Sequence, residues 1–346
     1  VTAVPQPLRA TLEALLERQS LSEAAARELL VALTDATLSA ALAGALLAAL
    51  RAKGVTADEL RGFAHGMRAL ARRPQLPDVG PTLDVVGTGG DASHTFNLST
   101  GAALLAVAGG ARVAKHGNRS ISSRSGSADV LEALGLRLPL EESAAGACLA
   151  ATGFTFLFAP HYHPAMKAIA PVRAALGVRT VFNLLGPLTN PSEPPFHVIG
   201  AWDRATARLM AEALAGMPIR RAFVVHGEPG WDEPTPAGPF LLYDVRPGSV
   251  RESTRSAADY ALPACAPADL KGGDAASNAA ALRAVFEGSD RGAHRDALVM
   301  GAALAFEVTG LAADPLAGAA RAAAAIDSGA ARATLAALER FAAQRP

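Results

Sequence analysis

An imbalance of charge is the first thing this 346-residue sequence lacks: 32 Lys and Arg stand against 32 Asp and Glu. A formal net charge of zero provides no global field for nucleic acid or an acidic membrane surface, so any anion must be held locally. Cysteine is scarce. Cys148 and Cys265 lie far apart with no Cys-x-x-Cys pair, which excludes a disulfide framework, fits a reducing compartment and leaves both as core residues rather than nucleophiles. Aromatic residues make up only 5% of a chain that is 50% hydrophobic. The apolar content is therefore carried by small aliphatic side chains, alanine above all, which favours closely approaching helices. No apolar run reaches a bilayer span; the longest, residues 38–50 and 297–306, read as buried helices. Residues 1–5 show no basic segment leading into an apolar stretch, so no secretory signal is expected and the location read is cytoplasmic. Internal repeats, heptad runs and long disordered segments are missing too.

What is present begins with helical periodicity. Leu8, Leu12, Leu15 and Leu16, then Leu38, Leu42, Leu46 and Leu50, then Leu60, Phe63, Met67 and Leu70 recur at three- or four-residue spacing. Residues up to about Arg73 thus form a helical unit, and Pro74, Pro77, Gly80 and Pro81 mark a linker or hinge. Beyond it, short apolar runs at 83–86, 112–114, 154–159, 197–201 and 222–225 alternate with helical patterns, which predicts an α/β domain. Residues 160–195, punctuated by Pro and Asn, interrupt the alternation and are expected to fold back onto the N-terminal helices. An alanine-rich helical tail covers 278–341. The expected division is a helical domain of residues 1–78 completed by 160–195, and an α/β domain of 79–159 and 196–346.

Four segments carry chemistry. In Val86-Gly87-Thr88-Gly89-Gly90-Asp91, three glycines follow a buried strand; they can take positive φ and aim several backbone N–H groups into one concavity. Thr95-Phe96-Asn97-Leu98-Ser99-Thr100 then opens an apolar helix, whose N-terminus suits an anion. Together they point to a phosphorylated substrate. The second segment, Lys115-His116-Gly117-Asn118-Arg119 running into Ser127, concentrates basic side chains among Ser and Gly, which suits phosphate oxygens better than a flat nucleic-acid surface. The third holds His161, Tyr162, His163, Arg173 and Pro187. Its two histidines lack a clear third ligand for zinc, and a polar, aromatic pocket wall with Arg173 as a planar fork for a carboxylate is the preferred reading. The fourth, Gly227-Glu228-Pro229-Gly230-Trp231-Asp232-Glu233, sets adjacent carboxylates beyond a strand, hard oxygen ligands of the kind Mg²⁺ takes.

These four blocks, in this order and spanning residues 8–341, closely resemble the anthranilate phosphoribosyltransferase family. The resemblance implies an N-terminal all-helical domain plus a larger α/β domain with a central mostly parallel sheet of the nucleoside phosphorylase/phosphoribosyltransferase type. It also implies a homodimer contacting through the helical domains, and PRPP (5-phosphoribosyl 1-pyrophosphate) and anthranilate as substrates. Carried over residue by residue, Gly87, Gly90, Asp91, Thr95, Asn97, Leu98, Ser99 and Thr100 match the PRPP loop. Lys115, His116, Gly117, Asn118, Arg119, Ser120, Ile121, Ser122 and Ser123 close over it with Ser127. Ser99, Asp232 and Glu233 match ligands of Mg²⁺, of which two ions are expected. Gly87, Asn118 and Arg173 match the principal anthranilate contacts, and His116, Tyr162, His163 and Pro187 the wall of its channel. Lys115, Asn118 and Arg173 are the residues expected to carry catalysis. Ala92 stands where the family commonly has glycine, and Trp231 and Pro234 replace its usual aliphatic neighbours of the acidic pair. A pyrimidine nucleoside phosphorylase shares the general architecture, but a different glycine loop and no Asp-Glu pair are expected of it. A nucleic-acid-binding relative would show a strongly basic surface. This sequence has neither pattern.

Overall fold

The computed structural model describes residues 6–90, 95–120, 124–228 and 230–344. Its chain opens with four helices, α1 (Gln6–Leu16), α2 (Glu23–Leu33), α3 (Ala40–Lys53) and α4 (Ala57–Ala69). Ser22, Ser39 and Thr56 cap the last three by accepting the amides of Ala25, Leu42 and Glu59, satisfying N–H groups that a helix leaves without partners. Glu59 is fully buried. Its carboxylate accepts from Lys53 Nζ at 2.9 Å and from the amides of Leu21 and Thr56, each at 2.8 Å, so the buried charge is paired and hydrogen-bonded. Helices α2 and α4 meet through glycine. A Cβ placed on Gly62 would lie 2.2 Å from the Glu23 carbonyl oxygen, and one on Gly66 would lie 2.6 Å from Leu30 Cδ2.

Past an extended linker tied to the next domain by Gln75 N–H donating to Glu142 O at 3.0 Å, strands and helices alternate. They are β1 (Leu83–Gly87), α5 (Leu98–Ala108), β2 (Val113–Gly117), α6 (Ser127–Ala133), α7 (Glu142–Thr152), β3 (Phe154–Phe158), α8 (Ala159–Tyr162), α9 (Met166–Leu176), α10 (Phe182–Leu185), β4 (Phe196–Gly200), α11 (Arg204–Ala215) and β5 (Arg221–Gly227). A hairpin of β6 (Phe240–Arg246) and β7 (Ser249–Arg255) and four helices, α12 (Ala275–Phe286), α13 (Ala293–Thr309), α14 (Pro315–Asp327) and α15 (Ala330–Ala343), complete the described chain. The sheet order is β3-β2-β1-β4-β5-β6-β7, parallel through the first five and antiparallel at β6 and β7. An N-terminal helical bundle and an α/β unit with a mostly parallel sheet are thus both present. All five strands expected from the sequence are there. The hairpin escapes a reading by apolar pattern because β7 is largely exposed and lacks apolar alternation. Its turn signal is nevertheless legible: Arg246 pairs with Ser249 across Pro247-Gly248, and Gly248 has φ +70°.

Two apolar clusters flank the sheet. One joins α5 and α13, both buried almost all round, to one face and takes in Cys148. The other continues from the bundle into α11 and the opposite face, and includes Ile169, Val181, Phe182, Leu184, Leu185 and Leu188 from the stretch between β3 and β4. Residues 169–188 of that stretch pack on the bundle side, while Tyr162 joins the first cluster. Because β2 and β4 lie on either side of β1, the connections diverge beside β1, and a crevice opens at the carboxyl ends of the strands, the usual ligand position in such sheets.

The glycine contacts predict opposite outcomes for two Gly-to-Ala changes in neighbouring helices. A methyl placed on Gly44 in α3 would meet no atom nearer than 3.9 Å, so Gly44→Ala is expected to stabilise by roughly 0.5–1 kcal/mol. Gly62→Ala meets rigid backbone and is expected to destabilise by roughly 1–3 kcal/mol despite the same gain in propensity. Thermal denaturation of the two variants checks this, and an equal shift in Tm would contradict it.

Candidate active site

Four of the five parallel strands end in glycine: Gly87, Gly117, Gly200 and Gly227. At β1 the turn continues through Gly89 and Gly90, with φ +67° and +73°, a left-handed pair that other residues adopt only with strain. The acidic pair reaches this turn from the loop after β5. Asp232 Oδ2 accepts from Gly89 N–H at 2.5 Å, and Thr88 Oγ1 lies 3.5 Å from the same oxygen. Glu233 accepts from Ser99 N–H, in the first turn of α5, at 3.0 Å and from Thr95 Oγ1 at 3.4 Å. Gly89, Thr95 and Ser99 are therefore brought together with Asp232 and Glu233 from a distant part of the sequence, and Gly87 lies against Asp232.

Behind them lies a buried polar network. Lys115, 1% exposed on β2, donates to Val85 O and lies 3.3 Å from Ser99 Oγ. Burial pushes its ammonium below the usual range, while the charges of Asp84, Glu233 and Asp232 oppose the shift. Asp84, also fully buried, accepts from His116 N–H at 3.1 Å and Asn190 Nδ2 at 2.9 Å. Burial raises it to about 6 against the pull of Lys115. His116 Nδ1 sits 3.1 Å from Gly186 O. A carbonyl only accepts, so Nδ1 carries the proton, and Nε2 has no hydrogen-bond partner among the described residues. His163 packs edge-on to His116 at 5.0 Å, and Pro187 follows Gly186 in a buried turn.

Arg173, half-buried on α9, stacks over Phe182 at 5.3 Å and has no carboxylate partner among the described residues; burial lowers its pKa. Asn97 caps nothing with its side chain. Instead its Oδ1 accepts from Asn278 Nδ2 at 2.9 Å and Ser125 Oγ at 3.3 Å. The loop after β2 folds around Asp129, which accepts from the amides of Ser120 and Gly126. Ser127 Oγ donates to Asn118 O, and Asn118 Oδ1 accepts from Arg119 N–H.

Several sequence expectations need correction. Tyr162 is fully buried in the apolar cluster around α5 and donates its hydroxyl to Leu140 O at 2.9 Å, so it belongs to the core and not to a channel wall. Arg119 pairs with Asp129 and Glu132 of α6, and that neutralises it within its own loop. Thr100 is fully buried, and Leu98 is apolar and buried, so neither offers a side chain to a phosphate. Asp91, Ile121, Ser122 and Ser123 lie outside the described residues. The described residues contain no cluster of three or more His, Cys, Asp or Glu suited to a metal, and His161 faces Glu142. Residues that sequence reasoning passes over include Asp84, Asn190 and Arg179. Asp84 is legible as a lone carboxylate within an apolar strand. Arg179, which donates to Gly90 O and lies 4.3 Å over the Trp202 ring, carries no local signal.

Three histidines are held neutral by burial: His116 and His197 are pushed down to about 3, and His163 to about 4, from an ordinary 6.5. The unfolded chain protonates all three as pH falls below about 6.5, so the stability they contribute is complete above that value and lost as pH falls toward their folded values. Asp84 works the other way, contributing most below 3.8 and losing its contribution as pH rises through about 6. Asp296 and Glu307, also raised by burial, act with Asp84, while Asp129, Asp203 and Asp244, which burial would raise but hydrogen bonds hold low, act with the histidines. The three large histidine shifts predict that Tm falls from pH 6.5 to pH 4, with a shallower fall in His197→Gln. A flat Tm over that interval would contradict neutral burial of these rings.

Comparison with known proteins finds relatives along nearly the whole chain. Residues 9–71 match the family model described as the glycosyl transferase family helical bundle domain, and residues 79–332 match that of its a/b domain. The anthranilate phosphoribosyltransferase of Solibacter usitatus is 48% identical over 333 residues, 96% of this chain and 97% of that protein. Its counterpart in Rubrobacter xylanophilus is 46% identical over 334 residues, 96% of both chains. Among solved structures, anthranilate phosphoribosyltransferase from Thermus thermophilus has a TM-score of 0.90 at 40% identity, covering 96% of this chain and 99% of that one. The Saccharomyces cerevisiae enzyme in complex with PRPP and Mg has a TM-score of 0.88 at 25% identity, covering 99% of each. Bundle, sheet and near-full-length identity agree, and the chain belongs to the anthranilate phosphoribosyltransferase family.

Proposed function

We propose that this protein transfers the 5-phosphoribosyl group of PRPP to the amine of anthranilate, giving N-(5-phosphoribosyl)anthranilate and pyrophosphate, a step of tryptophan biosynthesis. The observation that carries the reading is the convergence of phosphate-type donors, a buried lysine and an acidic pair at the strand ends. The proposal extends to a cytoplasmic homodimer contacting through the helical domain, with no nucleic-acid or membrane partner. Among the described residues no helix is long and apolar enough to cross a membrane. The helical domain comprises residues 1–78 completed by 160–195, and the linker around Pro74 to Pro81 is its hinge.

The donor set fits magnesium. Asp232 and Glu233 supply two carboxylates and Ser99 a hydroxyl, while Mg²⁺ commonly takes one or two carboxylates and completes its shell with water and substrate phosphate. Two ions are proposed. Bound there, magnesium would neutralise charge on the departing pyrophosphate. The chain's own groups do the rest. The Gly87–Gly90 turn and the first turn of α5 seat the phosphates, and Lys115 contributes a fixed positive potential from beneath Ser99. Arg173 takes the carboxylate of anthranilate, while Asn118 orients the amine and His116, His163 and Pro187 bound the aromatic ring. The amine is neutral at pH 7, so its nitrogen attacks the anomeric carbon as the bond to pyrophosphate breaks, and the proton is lost without a strong general base. Positioning supplies much of the acceleration.

The direct test follows loss of anthranilate fluorescence with PRPP and Mg²⁺ present. No consumption by folded protein would overturn the assignment. Asp232→Asn and Glu233→Gln are each expected to lower turnover by at least about 10²-fold with Tm nearly unchanged; near-normal rates for both at saturating Mg²⁺ would remove the acidic pair from the metal site. Arg173→Ala is expected to raise KM for anthranilate by the equivalent of roughly 1.5–3 kcal/mol while KM for PRPP barely moves. The reverse pattern would assign Arg173 to the phosphates.

A further inference from the structure

The donors best placed to hold pyrophosphate are engaged by the protein's own carboxylates. Gly89 N–H, on the left-handed glycine pair, donates to Asp232 Oδ2, and Ser99 N–H, at the positive end of α5, donates to Glu233 Oε1. Packing holds Asp232 there. A Cβ on Gly87 would lie 2.3 Å from Asp232 Oδ2, and one on Gly200 would lie 1.4 Å from the Asp232 carbonyl oxygen, so two bare strand ends admit this residue into the turn. A phosphate oxygen accepting from either amide must displace a carboxylate oxygen or crowd against it. The carboxylate so displaced would lose its amide bond, a loss that costs most for the buried Asp232 and less for the half-buried Glu233. A cation that draws the carboxylate onto itself removes that obstacle and leaves the amide exposed to the incoming anion.

We propose that Asp232 and Glu233 act as internal anions that close the phosphate donors to metal-free ligand and release them on binding the cation, so that the site selects the magnesium-complexed form of PRPP. This rests on the reading of these two side chains as metal ligands. It adds a second task that a purely metal-holding pair would not have: in the absence of the cation the pair opposes the substrate.

Calorimetric titration of the full chain with inorganic pyrophosphate, with EDTA and then with Mg²⁺, tests the idea without turnover. Asp232→Ala and Glu233→Ala are expected to bind metal-free pyrophosphate at least about tenfold more tightly than the parent, although both should fail in catalysis. Glu228→Gln is the charge control. Glu228 lies in the same loop but pairs with Arg204 at the surface, so its replacement is expected to change the affinity less than about threefold, as for a screened surface charge. Unchanged or weaker metal-free binding in both alanine variants, or an equal gain in the control, would overturn the proposal. Hydrogen exchange on the parent protein needs no variant: Mg²⁺ alone is expected to speed exchange in peptides covering residues 88–90 and 98–101, and no change there would overturn it equally. Turnover by the parent without the metal-free gain sinks only the proposed gating. The gain without turnover sinks the assigned reaction.

Discussion

Close approach of the backbone at the glycine-terminated strand ends is the constraint on which the site depends. A Cβ on Gly227 would lie 2.2 Å from the Glu233 carbonyl oxygen, and one on Gly117 would lie 2.5 Å from Ser127 Oγ. Gly87, Gly200 and Gly227 let the loop after β5 fold down over the strand ends and bring two carboxylates against β1 and α5, and Gly117 likewise admits the first turn of α6. A methyl at Gly200 or Gly227 would meet backbone of that loop, which no change of side chain elsewhere relieves, and one at Gly87 would meet the Asp232 carboxylate itself. The polar site is therefore a consequence of missing side chains as much as of the charged ones.

Beneath it, the protein accepts an unusual concentration of buried polar groups. Asn190 donates to both Asp84 Oδ2 and Ala114 O, at 2.9 and 2.8 Å, so one amide pins the segment before β4 to two adjacent strands. Arg68 of α4 is buried and donates to Leu188 O at 2.8 Å, gripping the same segment from the bundle. Two polar attachments, one to each side, fix the turn at Gly186 that orients His116. Apolar packing alone is tolerant of small rotations; these directional bonds are not, and they set the ring's tautomer as well as its position.

Much of this is legible in the sequence because local rules decide it. The glycine turn, the strand before it and the helix after it follow from φ requirements and apolar runs, and the Asp-Glu pair stands out beyond a strand. Helices of the bundle announce themselves through leucine spacing. What stays hidden depends on contacts distant in sequence. Tyr162 reads as a pocket aromatic beside two histidines, yet the direction of α8 sends it into the core toward Leu140. Arg119 reads as a phosphate ligand until α6 brings Asp129 and Glu132 alongside it. Strand β7 has no apolar face to betray it, and only its turn speaks for it.

Both tryptophans of the chain stand in segments that follow a strand end. Trp202 follows the end of β4 and carries the Arg179 guanidinium over its ring, while Trp231 closes onto Gly227 by paired backbone bonds of 2.9 Å immediately before Asp232. Neither residue belongs to a helix of the bundle or to α12–α15. Tryptophan emission from this protein consequently originates just beyond two strand ends, with one emitter under a guanidinium and the other buried in the apolar cluster around α5 and α13. The steady-state spectrum therefore reports on a guanidinium at one strand end and on core packing behind the other.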